Sequence, residues 1–91
     1  MRIARRFVVR GRVQGVGFRF FVDEAARREG VHGWVRNLPD GGVEAAVEGE
    51  SEAVDRLEGK IRRGPPGARV DHLDATDEVP SGRLAEFEIR S

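Results

Sequence analysis

The chain has 91 residues, of which 38% are hydrophobic and 35% charged, and it contains no cysteine. A chain of this length is expected to fold as one domain, residues 1–91, with a single modest core. The absence of cysteine excludes disulfides, thiolate metal sites and cysteine nucleophiles. The net charge of zero hides an asymmetry, because residues 1–19 hold six arginines and no acidic residue. These arginines are Arg2, Arg5, Arg6, Arg10, Arg12 and Arg19. Charge asymmetry of this kind points to an anionic partner.

The sequence contains no candidate membrane segment or signal peptide. The longest uncharged run near the N-terminus covers only residues 13–18, whereas a spanning helix needs about 20 apolar residues. We therefore expect a cytoplasmic protein with no membrane partner.

The first half of the chain predicts a strand, a loop and a helix. Residues 5–13 alternate, with Phe7, Val9 and Val13 on one face, which is typical of a half-buried strand. The glycine-rich residues 11–17 end this strand. From Phe18 the apolar residues recur with helical spacing, and Gly30 supplies the stop.

The second half predicts three strands and a second helix, followed by a short last strand at Phe87 and Ile89. The first of these strands covers residues 31–38, a turn follows at residues 39–42, and the next strand should direct Glu44 and Glu48 to water. Ser51 is predicted to cap the helix, which ends at residues 64–67, Gly-Pro-Pro-Gly. Residues 69–78 are predicted to form the fourth strand.

The predicted order is β-α-β-β-α-β with a short additional strand at the end. This order is typical of an α+β ferredoxin-like sandwich, in which right-handed connections place both helices on one face of an antiparallel sheet. Such folds carry enzymes, sensors and RNA-binding proteins, so the fold does not indicate the function.

The loop Gln14-Gly-Val-Gly-Phe-Arg19 has the features of an anion site. Glycines allow a close backbone approach to a ligand, and the helix that follows presents unpaired N–H groups. An arginine in the first helical turn adds a planar fork of donors. Neither the Walker nor the dinucleotide pattern matches. From the residues alone, a tight turn with a solvated arginine remains the alternative.

Other candidate residues are weaker. His32 and His72 are forty positions apart, and no third ligand is spaced for a metal site. The acidic positions along and after the third strand read as solvated side chains; they are Glu44, Glu48, Glu50 and Glu52. Trp34 fits a partly buried sheet position better than a stacking platform. We therefore expect no metal.

Two motifs resemble the acylphosphatase family. They are residues 11–19, GRVQGVGFR, and residues 33–37, GWVRN. The resemblance continues through residues 38–41, residues 43–49, Gly64-Pro-Pro and the closing Phe87-Glu-Ile, and so covers nearly the whole chain. It implies a ferredoxin-like enzyme that hydrolyses the carboxyl–phosphate bond of acyl phosphates without a cofactor.

The resemblance also implies specific site residues. The catalytic residues would be Arg19 and Asn37, and the phosphate would be bound by the backbone of Gly15, Val16, Gly17, Phe18 and Arg19. Without the resemblance, Asn37 would be interpreted as a turn residue that bonds its own backbone. The implied ligands are a small acyl phosphate and, as competitors, inorganic phosphate or sulfate. We expect a monomer that binds no nucleic acid.

Alternative functions stay open at this point. One is a non-catalytic ferredoxin-like module that binds anions or nucleic acid, for which the N-terminal arginines and the aromatic residues Phe7 and Trp34 would be used. A second is a relative of the acylphosphatase-like domain of larger maturation enzymes that handle carbamoyl phosphate. A third is an inactive scaffold, which Arg19 and Asn37 disfavour.

Overall fold

The computed structural model describes residues 1–91 and contains seven regular elements. In chain order these are β1 (Arg2–Arg12), α1 (Phe18–Glu29), β2 (His32–Asn37), β3 (Val43–Glu50), α2 (Ser51–Arg63), β4 (Arg69–Glu78) and β5 (Glu88–Arg90). The predicted order of elements is confirmed, although β1 begins at Arg2 and not at residue 5.

The five strands form one sheet in the order β4-β1-β3-β2-β5. The four longer strands pair in antiparallel fashion, and β5 runs parallel to β2. At the start of β3, Val43 pairs with Val9 of β1 on one side and with Asn37 of β2 on the other. The carboxyl ends of β1 and β2 therefore lie at the same edge of the sheet, with β3 between them.

Both helices pack on one face of the sheet. Their buried stripes join Phe7 and Val9 of β1 in a single cluster of 17 buried apolar residues. On the helices the buried residues are Phe18, Val22, Ala25 and Ala26 in α1 and Ala53, Val54, Leu57 and Ile61 in α2. The helical spacing in the sequence thus identified the packed faces, and Gly30 ends α1 at a φ of 71°.

The start of α2 differs from the prediction. Glu50 is the N-cap and Ser51 is the first residue of the helix. The Ser51 N–H donates to the carbonyl oxygen of Met1 at 2.8 Å, and its hydroxyl donates to Glu52 at 3.1 Å. Because β3 runs directly into the helix, Ser51 already lies inside the helix, with its N–H bonded to the residue before β1, and it does not cap.

Glu44 and Glu48 are buried, contrary to the expectation that they face water. They are only 8% and 2% exposed, and they lie on the face of the sheet without helices. Residues 79–86 cross this face on the way from β4 to β5, and there the Ser81 hydroxyl and the Gly82 N–H donate to Glu48 at 2.7 and 2.9 Å. A buried carboxylate is tolerated when its oxygens are hydrogen-bonded in this way.

The second buried carboxylate, Glu44, lies between two arginines. It accepts from Arg6 at 2.5 Å and from Arg36 at 2.8 Å. Burial would raise the pKa of Glu44, but the hydrogen bonds from Arg36 and Arg6 outweigh it, so the pKa lies below its ordinary value. Both arginines also lie near the ring of Trp34, at 6.0 and 5.4 Å from its centroid, and the indole is half-buried as expected.

Candidate active site

The loop between β1 and α1 depends on two glycines. Gly15 and Gly17 have φ angles of 74° and 76°, in the left-handed region that side chains with a Cβ rarely adopt. Gly17 is the N-cap of α1, and no side chain caps the helix there. The first turn also contains no acidic residue. The positive end of the helix dipole is therefore free to attract an anion.

Arg19 lies in the first turn of α1 and is half-buried. Its guanidinium donates one hydrogen bond, at 3.4 Å, to the carbonyl oxygen of Arg90 in β5. Three of the other N-terminal arginines, Arg5, Arg6 and Arg10, are each held by carboxylates at 2.5–3.1 Å. Arg19 has no such partner, so its remaining donors are available to a ligand.

Asn37 is the last residue of β2. Strand alternation places it on the same face as the fully buried Val35, which is the face that carries the helices. The side-chain hydrogen bonds around the following turn belong to Gln14, Arg36 and Asp40, and none to Asn37. The alternative interpretation of Asn37 as a turn residue that bonds its own backbone is therefore wrong.

A depression of about 220 Å³ brings these residues together. It is lined by Val13, Gly15, Gly17, Phe18, Arg19, Phe20 and Asn37. Of the predicted site residues, Val16 alone does not line it, because its side chain packs against the core. Both predicted catalytic side chains thus share one depression with the glycine loop.

Gln14 connects the loop to the turn after β2, and the sequence did not indicate this role. Its side-chain Nε2 donates to the carbonyl oxygens of Leu38 at 2.8 Å and Gly42 at 2.9 Å. The two acceptors lie more than 20 residues further along the chain, so only the folded structure shows the contact. A polar side chain between a strand and a glycine loop was the one available signal.

Phe20 is also placed at the site without having been predicted. It precedes the half-buried Phe21 on α1 but lies off the packed stripe of the helix, and it is 70% exposed. The other exposed large apolar residues are Met1 and Val79, neither of which lines the depression. An apolar side chain therefore stands at the rim beside Arg19.

A larger depression and the two histidines are weaker candidates for a functional site. A larger depression of about 480 Å³ is lined by Arg5, Asp55, Glu58, Arg62 and Asp77 among others, and these charged groups pair with one another. His32 and His72 lie on β2 and β4, with two strands between them. No group of three or more His, Cys, Asp or Glu side chains is placed to bind a metal ion. Neither helix has the length and apolar character needed to cross a membrane.

Known proteins resemble this chain in both sequence and fold. The family model described as Acylphosphatase matches residues 5–89. An acylphosphatase of Anaeromyxobacter dehalogenans is 55% identical over 89 residues, which are 98% of this chain and 96% of the relative. The crystal structure of acylphosphatase from Bacillus subtilis superposes with a TM-score of 0.94 at 35% identity, covering 98% of this chain and 99% of that one.

The same fold also occurs inside a larger protein. Full-length HypF, whose crystal structure is of its phosphate- and nucleotide-bound form, matches 100% of this chain with a TM-score of 0.88 and 28% identity. The match covers 12% of the HypF chain, whereas the Bacillus subtilis enzyme is matched over nearly its whole length. On the family model and the full-length relatives, this chain belongs to the acylphosphatase family.

Proposed function

We propose that Arg19 and the backbone amides of residues 15–19 bind the phosphoryl group of an acyl phosphate, and that Asn37 orients the attacking water. The reaction is that of the family, hydrolysis of acyl phosphates. The observation that carries the assignment of roles is the single depression that joins the glycine loop, Arg19 and Asn37.

The reaction needs little proton transfer from the protein. Water attacks phosphorus, the bond between phosphorus and the acyl oxygen breaks, and the carboxylate leaves with the electron pair. Because the conjugate acid of that leaving group has a pKa of about 4 to 5, it departs without protonation. The proton of the attacking water goes to a phosphate oxygen of the substrate, and the products are a carboxylate and inorganic phosphate.

Arg19 and the start of α1 supply the electrostatic part. Phosphoryl transfer is accelerated mainly by positioning and by stabilising charge on the phosphoryl oxygens. A guanidinium can contact two such oxygens at once, and the helix dipole adds positive potential. Arg19 cannot act as a base because it stays protonated. Its lack of a carboxylate partner supports a role in binding substrate.

Asn37 supplies orientation. A neutral amide holds a water by accepting or donating a hydrogen bond but does not deprotonate it. The Asn37 side chain has no hydrogen bond to the rest of the protein and lies at the depression, which supports this role. Removal of a transition-state hydrogen bond typically costs about 2.7–4 kcal/mol, or 10²–10³-fold in rate.

The test of the proposed function uses an aromatic acyl phosphate, such as benzoyl phosphate, whose ultraviolet absorbance falls on hydrolysis. The purified chain is assayed without added metal and again with a chelator. We expect turnover at the same rate in both, with competitive inhibition by inorganic phosphate or sulfate. The absence of hydrolysis would overturn the proposed function, and loss of turnover with the chelator would overturn the metal-free mechanism.

The nucleic-acid alternative has less support. It would use aromatic residues side by side on the sheet, but Phe7 is fully buried under the helices while Trp34 lies on the opposite face. It predicts RNA binding that weakens steeply with salt, which a titration with single-stranded RNA would detect. We expect none.

The assembly and location are part of the same proposal. Only three large apolar side chains are strongly exposed, which favours a monomer over a protein with a broad apolar interface. Light scattering after size exclusion tests this. We propose a cytoplasmic location, which cell fractionation tests.

A further inference from the structure

We propose that Gln14 is a positioning residue that holds Asn37 at the working distance from the phosphate loop. This inference rests on the proposed roles of the loop and of Asn37. Gln14 lies two residues beyond the end of β1, and its side-chain amide donates both of its hydrogens across the start of β3, to the carbonyl oxygens of Leu38 and Gly42.

The sheet joins the two halves of the site only indirectly, through β3. Val9 and Asn37 flank Val43 on opposite sides, so the strands that carry the loop and Asn37 are two spacings apart, roughly 9.5 Å. No backbone hydrogen bond connects residues 13–17 with residues 37–42. The two hydrogen bonds of Gln14 are the only ones between these segments.

Gln14 binds the turn at its closing point. The Leu38 N–H donates to the Gly42 carbonyl oxygen at 2.8 Å, and the Gly41 N–H donates to the Leu38 carbonyl oxygen at 3.2 Å. The carbonyl oxygens that close the turn are therefore the same two that Gln14 contacts. The turn begins at the residue after Asn37, so a shift of the turn relative to the loop displaces Asn37.

The chemistry of the contact is specific to an amide. Two carbonyl oxygens require two donors, and the NH₂ group of Gln14 supplies them from one atom. A glutamate carboxylate would place a negative acceptor against both carbonyls. A methionine has similar length but no strong donor. Since both hydrogens are used, Gln14 has none left for the substrate, which is why its role is to position Asn37.

The decisive experiment is a double-mutant cycle with benzoyl phosphate as substrate. The turnover number and the inhibition constant of inorganic phosphate are measured for Gln14→Met in the native chain and in the Asn37→Ala chain. A displacement of about 1 Å can cost about 10²-fold in rate. We therefore expect Gln14→Met alone to lose about 10- to 100-fold in kcat, with the phosphate inhibition constant changed less than about threefold.

In the Asn37→Ala background the same substitution should lower kcat by less than about twofold, because the side chain that Gln14 positions is already absent. Gln14→Glu should reduce kcat further than Gln14→Met, and Gln14→Asn, which keeps the donors on a shorter side chain, should lie between Gln14→Met and the native chain. If Gln14→Met does not fold, Gln14→Asn carries the same cycle.

Asp40→Ala is the matched control. Asp40 lies in the same turn as Leu38 and Gly42, where it accepts hydrogen bonds from the Gly42 N–H and from Arg10 of β1, and it makes no hydrogen bond to the loop. We expect it to lower thermal stability without changing kcat. Equal losses from Gln14→Met in both backgrounds, or native kcat in Gln14→Met, would overturn the positioning role. A native chain with no turnover would instead overturn the proposed function.

Discussion

Arg19 donates a hydrogen bond to the main-chain oxygen of Arg90 at 3.4 Å, which connects the first turn of α1 to the last strand of the sheet. At this length the hydrogen bond orients the guanidinium only weakly. It uses one of the five N–H donors of Arg19, so the others stay free. The side chain is thus partly directed before any ligand arrives.

We expect Arg19→Ala to abolish both phosphate binding and turnover. Arg19→Lys should restore charge but not the two-point contact of the planar guanidinium, so it should recover only a small part of the activity. Titration calorimetry with inorganic phosphate and the benzoyl phosphate assay measure the two effects. Arg2→Ala, at the opposite end of β1, is the control and should keep both. An Arg19→Ala chain saturated by micromolar concentrations of a phosphate analogue would contradict the assignment.

Substitution of Asn37 should separate binding from turnover. For Asn37→Ala we expect kcat to fall about 10²–10³-fold while the phosphate inhibition constant stays close to native, because the proposed contact of Asn37 is with the attacking water and not with the phosphate. Asn37→Asp should in addition weaken phosphate binding, since it places a negative charge beside the anion. Near-native turnover in Asn37→Ala would show that the residue does not orient the water.

The glycine at the start of α1 offers a test of backbone geometry. A Cβ on Gly17 would meet no atom within 4 Å, but the φ of 76° is strained for any other residue. Gly17→Ala should therefore lose about 1–2 kcal/mol of stability and weaken phosphate binding. Gly59, inside α2, is a matched control with equally open space and no positive φ. Gly59→Ala should gain up to about 1 kcal/mol. Urea unfolding measures the stability of both variants, and equal effects of the two substitutions would show that the backbone angle of Gly17 does not cause the loss.

The buried carboxylate Glu48 predicts a dependence of stability on pH. Burial would raise its pKa, but hydrogen bonds from Gly82 and Ser81 outweigh burial, so the pKa lies below the ordinary 4.5. The stabilisation is therefore fully present above about pH 5 and is lost as the pH falls through the folded-state pKa.

We expect Glu48→Gln to be less stable than the native chain at pH 7, with the difference narrowing on acidification. Ser81→Ala, which removes one of the donors, should behave in an intermediate way. Urea unfolding at intervals from neutral to acid pH measures the curves. Parallel stability curves for the native and Glu48→Gln chains would show that this carboxylate does not cause the loss of stability at low pH.

The rim residue Phe20 leads to an expectation about the acyl group. The depression has a volume of only about 220 Å³, so most of an aromatic acyl group should extend beyond it and selection among acyl groups should be weak. Phe20 is the exposed apolar side chain beside it. Phe20→Ala should raise KM for benzoyl phosphate by a few-fold, up to about tenfold, through lost apolar contact, and leave acetyl phosphate nearly unchanged. Equal changes for both substrates would exclude a contact with the acyl group.

The sequence predicted those features that depend on neighbours along the chain. The helical stripe of α1 and the turn at residues 39–42 follow from local spacing and turn chemistry, and the motifs around Arg19 and Asn37 identified the family. Features that depend on strand register were missed. Glu44 is buried because pairing places it between Arg6 and Arg36, and no local pattern indicates which residues face each other across a sheet.

The charge asymmetry of residues 1–19 is a second feature that only the folded structure explains. The arginine-rich β1 lies between β3 and β4, and its Arg5 meets carboxylates of α2 and β4, while Arg6 meets those of β3 and β4. Part of the positive charge of residues 1–19 is thus neutralised in space by acidic residues from the rest of the chain. Of the six arginines, Arg2, Arg12 and Arg19 have no ion pair, and only Arg19 lines the depression.

The position of Val43 between Val9 and Asn37 determines how a wrong strand register could be detected. A slip of one residue between β3 and β2 would turn Asn37 to the opposite face, while most of the backbone ladder could re-form. Such a chain could keep much of its strand content yet carry Asn37, the proposed catalytic residue, away from the depression. Turnover is therefore a sensitive indicator that the strands have aligned correctly, one that measurements of secondary structure content cannot replace.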